Sequence, residues 1–149
     1  MPVYTQVAYD LTSEHGTVSQ CLRKKRDIAT PGSADKISGI GSASCCSAVS
    51  ALVNNEPQLI IGNSRNKVPY KRTAIACVHG ECNALWDAIE EQATGMPTIL
   101  EMYIEMHPCP KCAAFLDNAL PPGQEVLYSF PYSPAGVTAW TAAAKALCS

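Results

Sequence analysis

The hydrophobic residues of this chain fall into two patterns, short continuous runs and longer stretches with helical spacing. Four short runs are rich in β-branched and aromatic residues, which is typical of strands. They cover residues 45–53, 58–62, 98–105 and 125–130. Residues 54–57 (Asn-Asn-Glu-Pro) are typical of a turn, so the first two runs predict a β-hairpin.

The segment that follows Gly80 carries apolar residues at intervals of three and four, which predicts a helix. Those residues are Ala84, Leu85, Ala88, Ile89 and Ala93. Gly95 and the proline two positions later predict where this helix ends. Further helices are predicted around residues 18–28, over 110–120 and over 135–147.

The predicted elements from residue 43 onward follow the order β-β-α-β-α-β-α, which indicates an α/β sandwich with one sheet. A β-α-β connection through each inner helix predicts that the third and fourth strands are parallel to their neighbours. The 149 residues suffice for a single domain with its own core. Within it, we expect residues 1–42 to form an N-terminal extension with a short helix and residues 43–149 to form the core.

The composition favours a compact globular protein, because 47% of the residues are hydrophobic and 16% are charged. The net charge is −2, so no overall basic field would draw the chain to nucleic acid. Positive charge is concentrated at residues 23–26 and between residues 65 and 72. The simplest interpretation of such a cluster is a solvated face or loop.

Eight cysteines are a high count for this length. The sequence contains neither a signal-peptide pattern nor an apolar stretch long enough to span a membrane. We therefore expect buried, reduced thiols and a reducing, cytoplasmic site of action. A secreted disulfide-rich protein is an alternative, which a native thiol count near zero would support.

Two short motifs carry the chemistry of this sequence. They are His79-Gly80-Glu81 and Pro108-Cys109-Pro110-Lys111-Cys112. His79, Cys109 and Cys112 supply three zinc ligands, and a catalytic zinc keeps its fourth position open for water. Glu81 would stand beside that water without binding the metal. Both motifs fall at predicted helix starts, with Pro110 suited to a first helical turn.

The order H-x-E … P-C-x-x-C resembles the signature of the cytidine deaminase superfamily. The resemblance implies a three-layer α/β/α sandwich with one central mixed sheet of four or five strands, and Zn²⁺ as cofactor. Members usually carry a fifth strand after the fourth. Here the pattern predicts a final helix instead, so that strand is expected to be absent or to lie outside the given sequence.

The resemblance also implies a mechanism. Zinc activates a water for attack on C4 of cytosine. Glu81 takes a proton from this water, passes it to the ring nitrogen beside C4, and protonates the amine that leaves as ammonia. One alternative stays open, because Cys77 or Cys82 could complete a closed site of four ligands. The chain would then be a non-catalytic zinc-binding interaction domain.

The sequence determines the substrate less closely than it determines the reaction. Residues 79–85 resemble the H-x-E-x-N-A stretch of deoxycytidylate deaminases, which act on free nucleotides. The small size and residues 120–123 (Leu-Pro-Pro-Gly) resemble deaminase domains of bacterial polymorphic toxins, which act on cytosine in DNA or RNA. We expect a nucleic-acid substrate, DNA more than RNA and single-stranded above all, with a free cytidine or deoxycytidylate deaminase as the alternative. A toxin domain would be delivered within a larger secreted protein and met by an immunity protein over its pocket.

The resemblance suggests five substrate-binding residues: Asn63, Arg65, His107, Phe130 and Tyr132. Related deaminases use an asparagine at the end of the second strand to bind the sugar or base, although Asn63 would also suit an ordinary turn. Arg65 belongs to the loop that rims the pocket and would suit a phosphate backbone. His107 could contact substrate or only cap and pack. Phe130 and Tyr132 could stack on a base or belong to the core.

Overall fold

A computed structural model of the chain describes residues 1–34, 36, 41–42, 45–63, 85, 88–89, 92 and 95–149. Its strands are β1 (Val3–Gln6), β2 (Cys46–Val53), β3 (Glu56–Asn63), β4 (Thr98–Met106) and β5 (Glu125–Phe130). These described strands form one mixed sheet in the order β1-β5-β4-β2-β3. The four strands predicted from the apolar runs are therefore confirmed, and a fifth joins them.

The helices with described bounds are α1 (Gly16–Ala29), α2 (Pro110–Ala119) and α3 (Pro134–Leu147). All three match the predicted helices closely. Leu85, Ala88 and Ile89 are also helical, as predicted for the segment that follows Gly80. No helix within the described ranges has the length and apolar character needed to cross a bilayer.

The predicted hairpin between β2 and β3 is confirmed. Its two turn residues, Asn54 and Asn55, have φ values of 52° and 66°, as a type I′ turn requires. Asparagine tolerates this left-handed conformation better than most residues. Pro57 lies inside β3 opposite Leu52. Proline is tolerated there because β3 is an edge strand.

The two faces of the sheet are covered by different helices. On one face Leu85, Ala88 and Leu116 pack with Val49 and Val126 in one buried cluster. This face therefore carries α2 and the helical residues Leu85, Ala88 and Ile89.

On the opposite face Val18 and Leu22 of α1 pack against Ala48 and Tyr103, and Leu147 of α3 joins the same cluster. The predicted three-layer α/β/α sandwich is confirmed.

The fifth strand comes from the start of the chain. Strand β1 runs parallel to β5, with Val3 opposite Glu125 and Gln6 opposite Tyr128. It occupies the sheet edge beside β5. The prediction that a helix and no further strand follows the fourth predicted strand is confirmed, because residues 131–149 contain α3 and no strand. The fifth strand comes instead from the N-terminal extension, where no strand was predicted. Four residues with mixed polarity leave no clear apolar run, because a short edge strand buries little of itself.

The predicted strand directions are half right. Strand β4 is parallel to β5, with Tyr103 opposite Leu127. It is antiparallel to its other neighbour, β2, with Ser47 opposite Ile104. The prediction of parallel neighbours is wrong for this pair because β2 lies between β3 and β4. The connection between β3 and β4 therefore crosses β2, and β3 and β4 run in the same direction.

A proline in place of Val7 is expected to loosen the β1 edge. The Val7 N–H donates to the Tyr128 carbonyl at 2.7 Å, and proline has no N–H to donate. We expect Val7→Pro to lower the free energy of unfolding by about 1–2 kcal/mol more than Val7→Ala, which keeps the N–H. Urea unfolding of both variants measures the difference. Equal losses would show that this hydrogen bond does not hold the strand.

Helix α1 is capped by a carboxylate from the sheet. Its N-cap residue, His15, makes no side-chain cap. Instead Glu101 of β4 accepts from the Thr17 N–H at 3.0 Å and from the Thr17 hydroxyl. Burial opposes ionisation of Glu101, but the hydrogen bonds from Thr17 and the interaction with His15 together outweigh it, so the pKa of Glu101 is lowered.

The Glu101 cap predicts a pH-dependent contribution to stability. Because the folded pKa of Glu101 lies below its unfolded value, the stabilisation is present above about pH 4.3 and is lost as the pH falls through the folded pKa. We expect Glu101→Gln to lower the free energy of unfolding by about 1 kcal/mol at pH 7. Urea unfolding at pH 7 and at about pH 4 should show the gap between variant and wild type narrowing. A gap independent of pH would contradict the ionic cap.

Candidate active site

The carboxyl ends of strands β3, β4 and β5 lie at the same end of the sheet. Strands β3 and β4 both run antiparallel to β2, and β5 runs parallel to β4. Their last residues are Asn63, Met106 and Phe130. Ligands of α/β proteins bind beyond the carboxyl ends of strands, and the P-C-x-x-C motif begins two residues after β4 ends.

The two cysteines of this motif lie at the start of α2. Cys109 is the N-cap residue with an extended backbone, and Pro110 occupies the first turn, as predicted. The Ala113 N–H donates to the Cys109 carbonyl at 2.8 Å. Cys109 and Cys112 are 7% and 0% exposed and pack in one small cluster with Phe115.

This pair suits zinc. Thiolates are preferred ligands of zinc, and both cysteines lie at the start of α2. Within the described part of the chain, no three histidine, cysteine or acidic side chains converge as a metal site. Cys109 and Cys112 are two of the three predicted ligands, and their binding of zinc stays a prediction. The third, His79, lies outside the described residues.

Several other predicted residues also lie outside the described ranges. These are Glu81, Arg65, Cys77 and Cys82. Asn63 is described only as the last residue of β3, paired with Cys46. Their roles at the site stay predictions.

The ring of His107 lies between two tyrosines. Its centroid is 4.4 Å from that of Tyr4 and 5.2 Å from that of Tyr128. The backbone N–H of His107 donates to the Phe130 carbonyl at 2.8 Å. The ring Nδ1 of His107 lies 3.2 Å from the Pro108 carbonyl oxygen. These contacts fit the packing role that the sequence left open. A contact with substrate stays a prediction.

The two aromatic candidates at the end of β5 have different surroundings. Phe130 packs against Tyr9 with ring centroids 5.1 Å apart and borders the buried cluster of Trp140. Tyr132 is 56% exposed and lines a pocket of about 390 Å³ with Val137. Of the two, Tyr132 has the more accessible ring for stacking, and the role of each stays a prediction.

The turn that carries Tyr132 is held tightly against α3. The Ser133 hydroxyl accepts from the Gly136 N–H at 3.0 Å and caps the helix. A Cβ atom at Gly136 would lie 1.9 Å from the Pro131 carbonyl oxygen. Only glycine fits this close approach, which fixes the backbone on both sides of Tyr132.

The motif and the fold agree with a comparison against protein families. A family model described as the cytidine and deoxycytidylate deaminase zinc-binding region matches residues 34–125. The chain belongs to this deaminase family. The match spans both motifs, and zinc is the cofactor of the deaminase. Searches of the curated proteins and of the solved structures find no match.

The end of strand β4 is held by a buried ionic network that the sequence analysis did not predict. The carboxylate of Glu105, 0% exposed, accepts from Lys25 Nζ at 2.9 Å and from the Cys46 N–H at 2.7 Å. Its other oxygen accepts from the Tyr9 hydroxyl at 2.5 Å and from Trp140 Nε1 at 2.8 Å. Since β4 ends at the next residue, this network anchors the strand that leads into the P-C-x-x-C motif.

Lys25 also corrects the interpretation of the basic cluster at residues 23–26. Its neighbours are exposed as expected, but Lys25 is 1% exposed. Burial disfavours the ammonium ion, but the attraction of Glu105 outweighs it and raises the pKa of Lys25. The sequence did contain a signal for the burial of Lys25. Lys25 lies four residues after Cys21 and three after Leu22, and this helical spacing places it on the apolar face of α1.

Proposed function

We propose that this zinc-dependent deaminase converts cytosine to uracil in single-stranded DNA. The reaction class follows from the family and from the H-x-E … P-C-x-x-C order. The proposal for the substrate is carried by the exposed ring of Tyr132 at the end of β5.

In this proposal His79, Cys109 and Cys112 hold the zinc, which supplies an activated water when bound. As the water oxygen adds to C4, Glu81 would accept one proton from it and deliver that proton to the neighbouring ring nitrogen. Glu81 would then take the second proton from the added oxygen and deliver it to the amine, and the C4–N bond would break to release ammonia. The burial of Cys109 and Cys112 keeps bulk water from the sulfur atoms and strengthens the electrostatic interactions around them.

Two exposed side chains support a polymeric substrate. An exposed aromatic ring stacks on any base of a single strand, with about 1–3 kcal/mol for each stacked base. Tyr132 supplies such a ring. Lys111, exposed between the two cysteines in the first turn of α2, supports contact with phosphate. Arg65 would add a second cation.

Replacing Tyr132 tests the substrate class. We expect Tyr132→Ala to lower kcat/KM on a cytosine-containing single-stranded oligonucleotide by about 5- to 150-fold, through loss of one stacked base. Turnover of free cytidine should change less than about twofold, and Tyr132→Phe should retain activity on both substrates because it keeps the ring. Uracil formation at matched zinc content is the measurement. Equal losses on both substrates would contradict a role in strand binding.

The second candidate is a free cytidine or deoxycytidylate deaminase. The family description names these substrates, and the net charge of −2 does not favour a polyanion. Wild-type protein that converts free nucleotides but neither single- nor double-stranded oligonucleotides would establish this candidate. Conversion in RNA alone would move the proposal to RNA.

The biological context is a separate part of the proposal. A delivered bacterial toxin domain, with an immunity protein over the pocket, is supported only by the resemblance of the sequence to polymorphic toxins. The deaminase reaction does not depend on it.

A further inference from the structure

The ring of Tyr132 lies beyond the last pairing of the sheet. Strands β4 and β5 pair as far as Met106 and Phe130, and the backbone N–H of His107 adds one hydrogen bond to the Phe130 carbonyl at 2.8 Å. Strand β5 ends at Phe130. The sheet alone therefore does not fix Tyr132 relative to the P-C-x-x-C motif that follows β4.

Helix α3 holds the turn that carries Tyr132. The Ser133 hydroxyl accepts from the Gly136 N–H at 3.0 Å, and the Ser133 N–H donates to the Pro131 carbonyl at 3.0 Å. The backbone of Gly136 also lies against Pro131, with no room for a Cβ atom. Tyr132 is therefore tied to the first turn of α3, and its position depends on where this helix lies.

One turn further along α3, Trp140 ties the helix to strand β4. It lies on the same helix face as the buried Gly136, and its Nε1–H donates to Glu105 Oε2 at 2.8 Å. The Trp140 ring also belongs to a buried cluster with Met106, the last residue of β4. This hydrogen bond thus joins the helix that holds Tyr132 to the strand that leads into the P-C-x-x-C motif.

The hydrogen bond between Trp140 and Glu105 is costly to break. The two residues are 8% and 0% exposed, so water does not readily replace a lost donor, and hydrogen bonds to a carboxylate are stronger than neutral ones. The same Glu105 oxygen also accepts from the Tyr9 hydroxyl at 2.5 Å. Of these two donors, only Trp140 lies on the helix that holds Tyr132.

We propose that Trp140 is a positioning residue that sets the place of the Tyr132 ring relative to the zinc motif, through its hydrogen bond to Glu105. The inference rests on the proposed function for the stacking of Tyr132 on a base. A strand held both at the zinc and at Tyr132 binds well only where the two contacts match its spacing, because a misplaced group loses binding energy. Loss of this hydrogen bond should weaken strand binding and spare the chemical step.

Trp140→Phe tests the proposal, since it removes the N–H and keeps an aromatic ring in the core. The matched control is Tyr9→Phe, which removes the other donor to the same Glu105 oxygen and keeps the ring against Phe130. Steady-state kinetics on a cytosine-containing single-stranded oligonucleotide, at matched zinc content, give KM and kcat separately. A general loosening of the buried network would affect both variants alike.

We expect Trp140→Phe to raise KM about 3- to 30-fold with kcat within about twofold of wild type, while Tyr9→Phe keeps the wild-type KM. A wild-type KM in Trp140→Phe, or an equal rise in both variants, would overturn the inference. A larger fall in kcat or a loss of zinc in Trp140→Phe would also overturn it, because the metal site itself would then have changed.

A second replacement at position 140 controls for the smaller size of phenylalanine. Benzothienylalanine has sulfur in place of the indole N–H and nearly the shape of tryptophan, so it should give the same rise in KM. A wild-type KM with this side chain would overturn the inference, also where Trp140→Phe does not fold.

Tyr132→Ala separates the possible failures. In this background Trp140→Phe should change KM by less than about twofold, because no ring is left to position. A further rise as large as in the wild-type background would overturn the inference alone. Wild-type kinetics of Tyr132→Ala itself would overturn the strand-binding role of Tyr132 in the proposed function, and the inference with it.

Discussion

Replacing Glu81 by alanine is expected to abolish cytosine deamination while zinc stays bound. In the proposed mechanism this carboxylate moves protons but is not one of the three predicted ligands. General acid–base catalysis contributes about 10²- to 10⁴-fold, and Glu81 serves in more than one transfer. We therefore expect kcat to fall at least about 10³-fold. Uracil formation in a mixed-context oligonucleotide, single- and double-stranded, measures activity, and metal analysis measures zinc.

Two comparison variants sharpen this experiment. Glu81→Gln keeps the size of the side chain but cannot accept the proton, so it should be as inactive as Glu81→Ala. Cys112→Ala should lose both zinc and activity, because it removes a ligand. Loss of zinc from Glu81→Ala with activity retained would contradict the assignment and would favour a site in which Glu81 has a structural role.

Replacing Lys25 by methionine is expected to produce the largest loss of stability. Lys25 and Glu105 are 1% and 0% exposed, and their charged atoms lie 2.9 Å apart. Removal of Lys25 leaves the Glu105 charge buried without its counter-ion, and loss of one partner of a buried pair typically lowers the free energy of unfolding by about 3–5 kcal/mol. The Trp140 ring, 5.1 Å from Lys25 Nζ, would lose its cation as well. Urea unfolding of zinc-loaded protein measures the loss.

The neighbouring Lys24 provides the matched control. It lies on the same helix but is exposed, so Lys24→Met should change stability by no more than about 0.5 kcal/mol. In the Lys25→Met background, Glu105→Gln should recover part of the loss, because a neutral amide needs no counter-ion and can still accept from Tyr9 and Trp140. Similar stabilities for Lys24→Met and Lys25→Met would show that the buried pair contributes little.

The sequence alone predicted the strands and helices that bury a continuous face. The apolar run of β4 and the helical spacing of Leu85, Ala88 and Ile89 are local patterns, and each was found in the structure. The two asparagines of the hairpin turn are also a local signal, and they predicted the turn. By contrast, β1 has no such pattern, because its stability comes from pairing with β5, more than a hundred residues later in the chain.

What the sequence by itself determined is the reaction class. The predicted ligands and the predicted proton shuttle lie in two short motifs, so their spacing is visible without the fold. Only the tertiary structure decided that β1 completes the sheet and that Lys25 is buried in contact with Glu105. Lys25 and Glu105 are 80 residues apart in the chain. The burial and pairing of a polar side chain depend on such distant partners, which no local periodicity records.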